Sequence, residues 1–251
     1  MSLLDVTGLK VGFGQSLPVR QVDLVIEPGS RTALLGASGS GKSLTVLAIA
    51  GLLPPGARMQ GQIVWGGLPA GMRLGRDVGL VFQDPMSALN PVLRVGEQVA
   101  EVVRAHRHRS SRRAMEEATS LFHQLDLPQP DRIGQAYPHQ LSGGQRQRVA
   151  IAAAIAADPA LLILDEPTTA LDTVTQRHIV DLLQSIASAR GMAILLVTHD
   201  LALAAHLAAD AFIIDEGLIV ERQPIQDLIL APRHAAARSL VQAHRQLHAH
   251  D

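Results

Sequence analysis

Hydrophobic and polar positions along this chain repeat with two different periods, and the change between them divides it. Val22-Asp23-Leu24-Val25-Ile26 alternates as a strand does, and Pro28-Gly29 supplies a turn. Thr32–Leu35 is a short apolar strand that runs into a glycine-rich segment. Lys42–Leu52 then reads as a helix, closed by Gly51 and Pro54-Pro55-Gly56. Further strands are predicted at Gln62–Trp65 and Asp77–Phe82. From Asp84 to about Asp158 the period becomes helical. Val95, Val99, Val102 and Val103 share one face there, as do Met115, Ala118, Leu121, Phe122 and Leu125. Strand–helix alternation returns with a buried strand at Leu161–Leu164, an amphipathic helix at Thr173–Arg190 and a strand at Ala193–Val197. Ala211–Ile214 and Leu218–Val220 follow as strands. This order predicts an α/β fold with a largely parallel sheet, interrupted in sequence by a helical insertion.

Composition narrows the class. A chain of 251 residues suits one large domain or a domain with an inserted subdomain. Hydrophobic residues make up 47% and aromatics only 2%, so a sizeable core must be packed with Leu, Ile, Val and Ala. A net charge of −1 argues against broad electrostatic capture of nucleic acid. With no cysteine, disulfides, Cys-ligated zinc and iron–sulfur clusters are excluded from this chain, which fits the cytosol. The start Met1-Ser2-Leu3-Leu4-Asp5-Val6 is unlike a signal peptide. The apolar run Val149–Leu164 is broken by Asp158 and Pro159, short of the roughly 20 residues a membrane span needs. A soluble protein is expected, reaching a membrane only through partners.

Three segments carry candidate chemistry. Gly36-Ala37-Ser38-Gly39-Ser40-Gly41-Lys42-Ser43 has the G-x-x-x-x-G-K-S spacing between a strand and a helix. Its glycines let the backbone curl around a phosphate, and the following helix points its positive dipole end at the same place. Gly36, Ser38, Gly39, Ser40, Gly41, Lys42, Ser43 and Thr45 form the candidate nucleotide set. Lys42 is expected to reach the β- and γ-phosphates, and Ser43 to coordinate Mg²⁺. Leu161–Leu164 makes a buried strand that presents Asp165 and Glu166 at its carboxyl end, where ligands sit in parallel sheets. Asp165 suits Mg²⁺, and Glu166 suits a general base acting on water. In the third segment, Leu141–Arg148, Ser142 with Gln145 has the form of a capping box before an Ala-rich helix. Gly143 and Gly144 are poor residues for a first helical turn, and close approach to a ligand explains them better. Ser142, Gly143, Gly144 and Gln145 can bind a γ-phosphate, and since the chain already has a phosphate loop, that nucleotide is placed on an opposing protomer.

With Gln83 in Val81-Phe82-Gln83-Asp84, Thr169–Asp172 and His199 in Val197-Thr198-His199-Asp200, these ordered motifs resemble the ATP-binding cassette ATPases over nearly the whole chain. The resemblance implies a P-loop NTPase (RecA-like) core with a mainly parallel sheet, an antiparallel β subdomain and an inserted α-helical subdomain. Expected boundaries are 1–84 and 158–230 for the two parts of the core, 85–157 for the helical subdomain and 231–251 for a tail. It implies ATP with Mg²⁺, and catalytic roles for Glu166, His199 and Gln83. Mg²⁺ ligation falls to Ser43, Gln83 and Asp165. Gln83 would also link this site to a transmembrane partner, Asp172 would connect the two sites of a dimer, and His199 would contact the γ-phosphate. A histidine beside Asp200 that caps a helix is the alternative for His199. An adenine-stacking aromatic is implied upstream of the glycine loop, where Phe13 stands, with core packing as its alternative.

The flanks suggest a branch. Asp84-Pro85-Met86-Ser87-Ala88-Leu89-Asn90-Pro91, Tyr137-Pro138-His139-Gln140 and Gly217-Leu218-Ile219-Val220-Glu221 resemble bacterial importers of dipeptides, oligopeptides, nickel and metal chelates. A short, cysteine-free tail looks more like the nickel and metal-chelate members. That branch implies a second ATPase subunit, identical or paralogous, beneath two permease subunits fed by a solute-binding protein. It implies no nucleic acid, and a peripheral place on the cytoplasmic face of the bacterial inner membrane. An exporter ATPase and a nucleic-acid-associated cassette are the alternatives. Two departures stand out: Pro28-Gly29-Ser30-Arg31 replaces the usual Gly-Glu, and Ala235-Ala236-Ala237 puts the docking of the tail in question. His244, His248 and His250 could share a metal, but a solvated tail is the simpler reading. Arg104, Arg107, Arg109, Arg112 and Arg113 could touch anionic lipid, against a solvated loop between helices.

Overall fold

Glycines hide the first strand from a pattern reading. β1 (Leu4–Phe13) pairs antiparallel with β2 (Ser16–Ile26) and with β4 (Arg58–Trp65). Register shifts on both sides of Leu9 and again before Phe13 break the alternation, so the buried Leu4, Val6, Leu9 and Val11 leave a strict period of two. The computed structural model describes residues 1–67, 71–84, 88–167 and 173–248. They fall into two compact units, Met1–Met72 with Ala193–Asp251, and Arg73–Met192.

The first unit contains the strands in the order β4-β1-β2-β9-β8-β3-β7, where β3 is Arg31–Leu35, β7 Ala193–Thr198, β8 Asp210–Asp215 and β9 Leu218–Pro224. β3 is parallel to both β7 and β8, and Ala33, Leu34 and Leu35 are fully buried between them. A strand covered on both faces reads as an unbroken apolar run, which is how it was legible. β8 and β9 are antiparallel. α1 (Lys42–Ile49) stops earlier than its pattern suggests, because Gly51 takes a φ of 70° just beyond its end. α7 (Leu201–Leu207) and α8 (Ile225–Leu230) complete the middle of this unit.

Residues expected as a solvated tail form a packed helix. It spans Ala235–His248 and buries Ala237 and Val241. The three-alanine departure therefore supplies a close contact, with Ala237 wholly inaccessible. Glu221 on β9, only 8% exposed, anchors the helix entrance. Its carboxylate accepts from the Arg233 backbone N–H at 3.0 and 3.2 Å and from that of His234 at 2.7 Å. Glu221→Ala leaves two N–H groups without this acceptor, a cost of about 1–3 kcal/mol. Faster amide exchange across 233–248, with β3 unchanged, is the expected result.

In the second unit β5 (Val78–Val81) and β6 (Leu161–Asp165) are parallel. Between them in sequence lie α2 (Val95–Arg107), α3 (Ser111–Gln124), α4 (Pro130–Gly134), a 3₁₀ turn at Pro138–Gln140 and α5 (Gly143–Ile155). α6 (Thr173–Arg190) follows β6. Val95, Val99 and Val103 are buried as expected, whereas Val102 is half-exposed. A close approach of α2 to α4 rolls the helix: a Cβ at Gly96 would lie 2.7 Å from the Gly134 carbonyl oxygen. Four of the five arginines in the expected basic run pair with carboxylates: Arg104 with Glu101, Arg107 and Arg109 with Glu117, and Arg112 with Glu116. These pairs favour the solvated helix–loop–helix reading over a lipid-binding patch.

Candidate nucleotide site

Leu35 ends β3, and the glycine loop begins at once. Gly36 has no room for a side chain, since a Cβ there would lie 2.3 Å from the Ile214 carbonyl oxygen. Gly39 and Gly41 take φ values of 80° and 102°, which side chains resist. Gly41 also abuts the hairpin of β1 and β2, its Cβ position 2.8 Å from the Pro18 carbonyl oxygen. Lys42 is buried, and its Nζ donates to the carbonyl oxygens of Gly36 and Ala37 at 2.8 and 2.9 Å. The ammonium is thus drawn over the loop it terminates. Ser40 is 4% exposed and its Oγ has no hydrogen-bond partner among the described residues. A buried orphan of this kind suits a phosphate oxygen. Ser38 and Ser43 are exposed. Thr45 differs from them: it is fully buried, and its hydroxyl donates to the Gly41 carbonyl at 2.9 Å, bracing the loop from behind.

The remaining candidates collect at the carboxyl ends of parallel strands. Leu35 is in register with Thr198, so Gly36 and His199 leave neighbouring strands side by side. Such strands lie about 4.8 Å apart. Asp200 caps α7 by accepting from the Ala202 and Leu203 N–H groups at 2.8 and 3.1 Å, so the capping role belongs to Asp200 and not to exposed His199. In the other unit Val81 is in register with Leu164, which puts Gln83 and Glu166 at matching positions beyond the strand ends. Gln83 is exposed, and Asp165 is 8% exposed as the last residue of β6. Glu166 adopts a φ of 48°. A non-glycine residue held in this left-handed region costs of order 1–3 kcal/mol, and such strain concentrates at functional sites. Within this unit Gln83 and Asp165 offer oxygen donors of the hard type Mg²⁺ prefers, one of them a carboxylate, and in the first unit Ser43 offers a hydroxyl of the same type.

At the third segment the capping box is real in both directions. Ser142 Oγ accepts from the Gln145 N–H at 3.3 Å, and the Ser142 N–H donates to Gln145 Oε1 at 2.9 Å. Gly143 and Gly144 form the first helical turn of α5. A neighbouring groove of about 600 Å³ exposes Gln129, Arg132, Gln135, Gln140 and Gln145, whose donors suit the polar edge of a ligand. Asp172 and His250 lie outside the described residues. Elsewhere, no group of three or more metal-ligating side chains occurs among the described residues, which leave out the side chain of His248.

Phe13 closes β1, half-buried, at the tip of the hairpin opposite Ser16. Gly217, read from the sequence only as the first residue of a family flank, proves central to the loop. Its N–H donates to the Ser40 carbonyl at 3.0 Å, and its own carbonyl accepts from the Arg20 and Gln21 N–H groups at 2.8 and 3.0 Å. The signal was present as Glu216-Gly217 between two strands, a turn dipeptide. Nothing in the linear pattern placed that turn beside the glycine loop.

A phosphate loop joining a central parallel strand to a helix, with polar residues at the carboxyl ends of parallel strands, defines the P-loop NTPase fold. The chain belongs to the ABC transporter family, which matches residues 19–169. It is 41% identical over 263 residues to a Brucella melitensis protein provisionally named a peptide import ATP-binding protein, covering 96% of this chain and 77% of that one. It is 40% identical over 256 residues to the dipeptide transport ATP-binding protein DppD of Escherichia coli, covering 97% and 78%. Among solved structures it resembles a dimeric ATP-binding cassette in a post-hydrolysis state bound to ADP and Pi, with a TM-score of 0.77 and 26% identity over 88% of this chain and 98% of that one. The chain is therefore a nucleotide-binding ATPase. No helix among the described residues is long and apolar enough to cross a membrane.

Proposed function

We propose that this chain is the ATP-hydrolysing subunit of a peptide importer, working as one of two cassettes beneath a pair of permease subunits. The observation that carries the reading is a chain with two unlike anion-binding helix N-termini. One follows a glycine loop and brings Lys42; the other, at α5, has a Ser142 cap and no lysine. A site built from the first alone lacks a γ-phosphate clamp, and the second supplies it to a neighbour. The two cassettes are identical or paralogous, and a solute-binding protein delivers cargo to the permease. The peptide names of the two relatives favour import of peptide over export or work on nucleic acid.

Within the first unit, Lys42 and the loop N–H groups hold the β- and γ-phosphates, His199 reaches the γ-phosphate and Phe13 stacks on adenine. Within the second, Glu166 takes a proton from the attacking water, and Gln83 passes the state of the site towards the permease. Ser43, Gln83 and Asp165 would hold Mg²⁺, which would supply charge neutralisation for the phosphates. Asp172 connects the two sites of the pair. Docking on the permease places the chain on the cytoplasmic face of the inner membrane. Core segments 1–84 and 158–230, the helical subdomain 85–157 and the C-terminal segment 231–251 divide these tasks.

Reconstitution with its permease and solute-binding protein in vesicles tests the assignment. ATP-dependent uptake of dipeptide or oligopeptide is expected. Uptake of nickel or a metal chelate without peptide uptake, or outward transport, overturns it.

A further inference from the structure

Three backbone segments of the first unit meet around Gly217 without space for a side chain. Glu216 and Gly217 take φ values of 44° and 76°, both positive as a two-residue hairpin between β8 and β9 requires. A Cβ on Gly217 would lie 2.5 Å from the Pro18 carbonyl oxygen and 2.8 Å from the Arg20 nitrogen. The same Pro18 oxygen lies 2.8 Å from the Cβ position of Gly41. One carbonyl is thus wedged between the glycine loop and the β8–β9 turn. Gly217 adds hydrogen bonds in both directions, to Ser40 in the loop and to Arg20 and Gln21 in β2.

We infer that Gly217 is a positioning residue that sets the distance between the two ends of a bound nucleotide. The phosphate end lies in the loop, and the base end lies at the hairpin tip, where Phe13 pairs with Ser16. Pro18 is two residues from Ser16 along β2, roughly 7 Å at the rise of a strand. The three atoms nearest a Cβ at Gly217 all belong to β2, so the added methyl presses first on the hairpin and not on the glycine loop. Ordinary contact begins near 3.4 Å, so β2 must retreat by roughly 1 Å, a displacement large enough to spoil a positioned contact. The inference rests on the reading of Phe13 as the base platform.

The test compares ATP with tripolyphosphate, which has the phosphates and no base. Both are measured with Mg²⁺ on the full chain, by competition against a fluorescent ATP analogue. Gly217→Ala is the first variant. Gly217→Asn is the second, since asparagine tolerates positive φ and preserves folding where alanine does not. Gly191→Ala is the control: its φ is 63°, and nothing lies within 4 Å of its Cβ position. Both Gly217 variants should bind ATP about tenfold more weakly, the scale of one base–aromatic stack, and tripolyphosphate less than about twofold more weakly. The control should match wild type. Equal losses on both ligands, or no loss on ATP, overturn the spacing role. Phe13→Ala separates the two readings. Selective loss of ATP in Phe13→Ala but not in the Gly217 variants removes the spacing role and keeps the platform. Selective loss in the Gly217 variants alone keeps the spacing role and moves the platform elsewhere on the hairpin. Wild-type behaviour throughout removes both.

Discussion

Glu166→Gln should bind ATP with wild-type affinity and release phosphate about 10²–10⁴ times more slowly, the usual contribution of a positioned general base. Glutamine matches glutamate in size and cannot accept a proton at neutral pH. The backbone strain at residue 166, with its φ of 48°, is common to both side chains and cancels in the comparison. The lost rate therefore reports the carboxylate itself. Neighbouring Asp165 ends β6 and is nearly inaccessible, so it is poorly placed to take over. Steady-state phosphate release and equilibrium ATP binding provide the two measurements. Turnover at the wild-type rate would remove Glu166 from the role of base. In the proposed cycle hydrolysis separates two paired cassettes, so the variant is expected to accumulate as an ATP-dependent dimer in size-exclusion chromatography.

Lys42→Ala should fail at the earlier step. The buried ammonium sits at 2.8 and 2.9 Å from two carbonyl oxygens of the loop, close to where a phosphate must lie. A hydrogen bond to a charged group contributes about 1.5–3 kcal/mol, so ATP should bind roughly 10–100 times more weakly. The substitution also takes the donor from the Gly36 carbonyl, and some loss of thermal stability should accompany it. Titration at saturating concentrations separates the two effects, since a folded variant still reaches full occupancy. Unchanged affinity would show that the loop N–H groups alone hold the nucleotide.

How much of this was legible in the sequence depended on whether the relevant residues are contiguous. The glycine loop, the strand ending at Asp165 and the capped segment at Ser142 are each short and local. Their chemistry follows from spacing alone, and the strands around β3, β5 and β6 were found within a residue or two. β1 was missed because its register shifts destroy the period that identifies a strand. Val102 was assigned to the buried face because helical periodicity cannot see Gly134, the neighbour that decides how α2 is rolled. The helix at Ala235–His248 depends on a carboxylate a dozen residues upstream in β9, a tertiary bond with no local signature. The contact of Gly217 with the glycine loop was not legible, for a similar reason. Its turn could be read, but its position beside Ser40 arises only when β9 returns next to β2.

The reciprocal hydrogen bonds of Ser142 and Gln145 have a consequence for reversibility. Before any phosphate arrives, the Ser142 hydroxyl already accepts from the Gln145 N–H, and the Ser142 N–H already donates to Gln145 Oε1. Lys42 is likewise engaged by the carbonyls of its own loop. Binding at either place therefore exchanges one set of bonds for another instead of adding a full set. The net gain is small compared with the gross contact, and departure is correspondingly easy. An ATPase that must release its product in every cycle gains from this: each of these two segments carries its own internal competitor, which resets it once a phosphate has left.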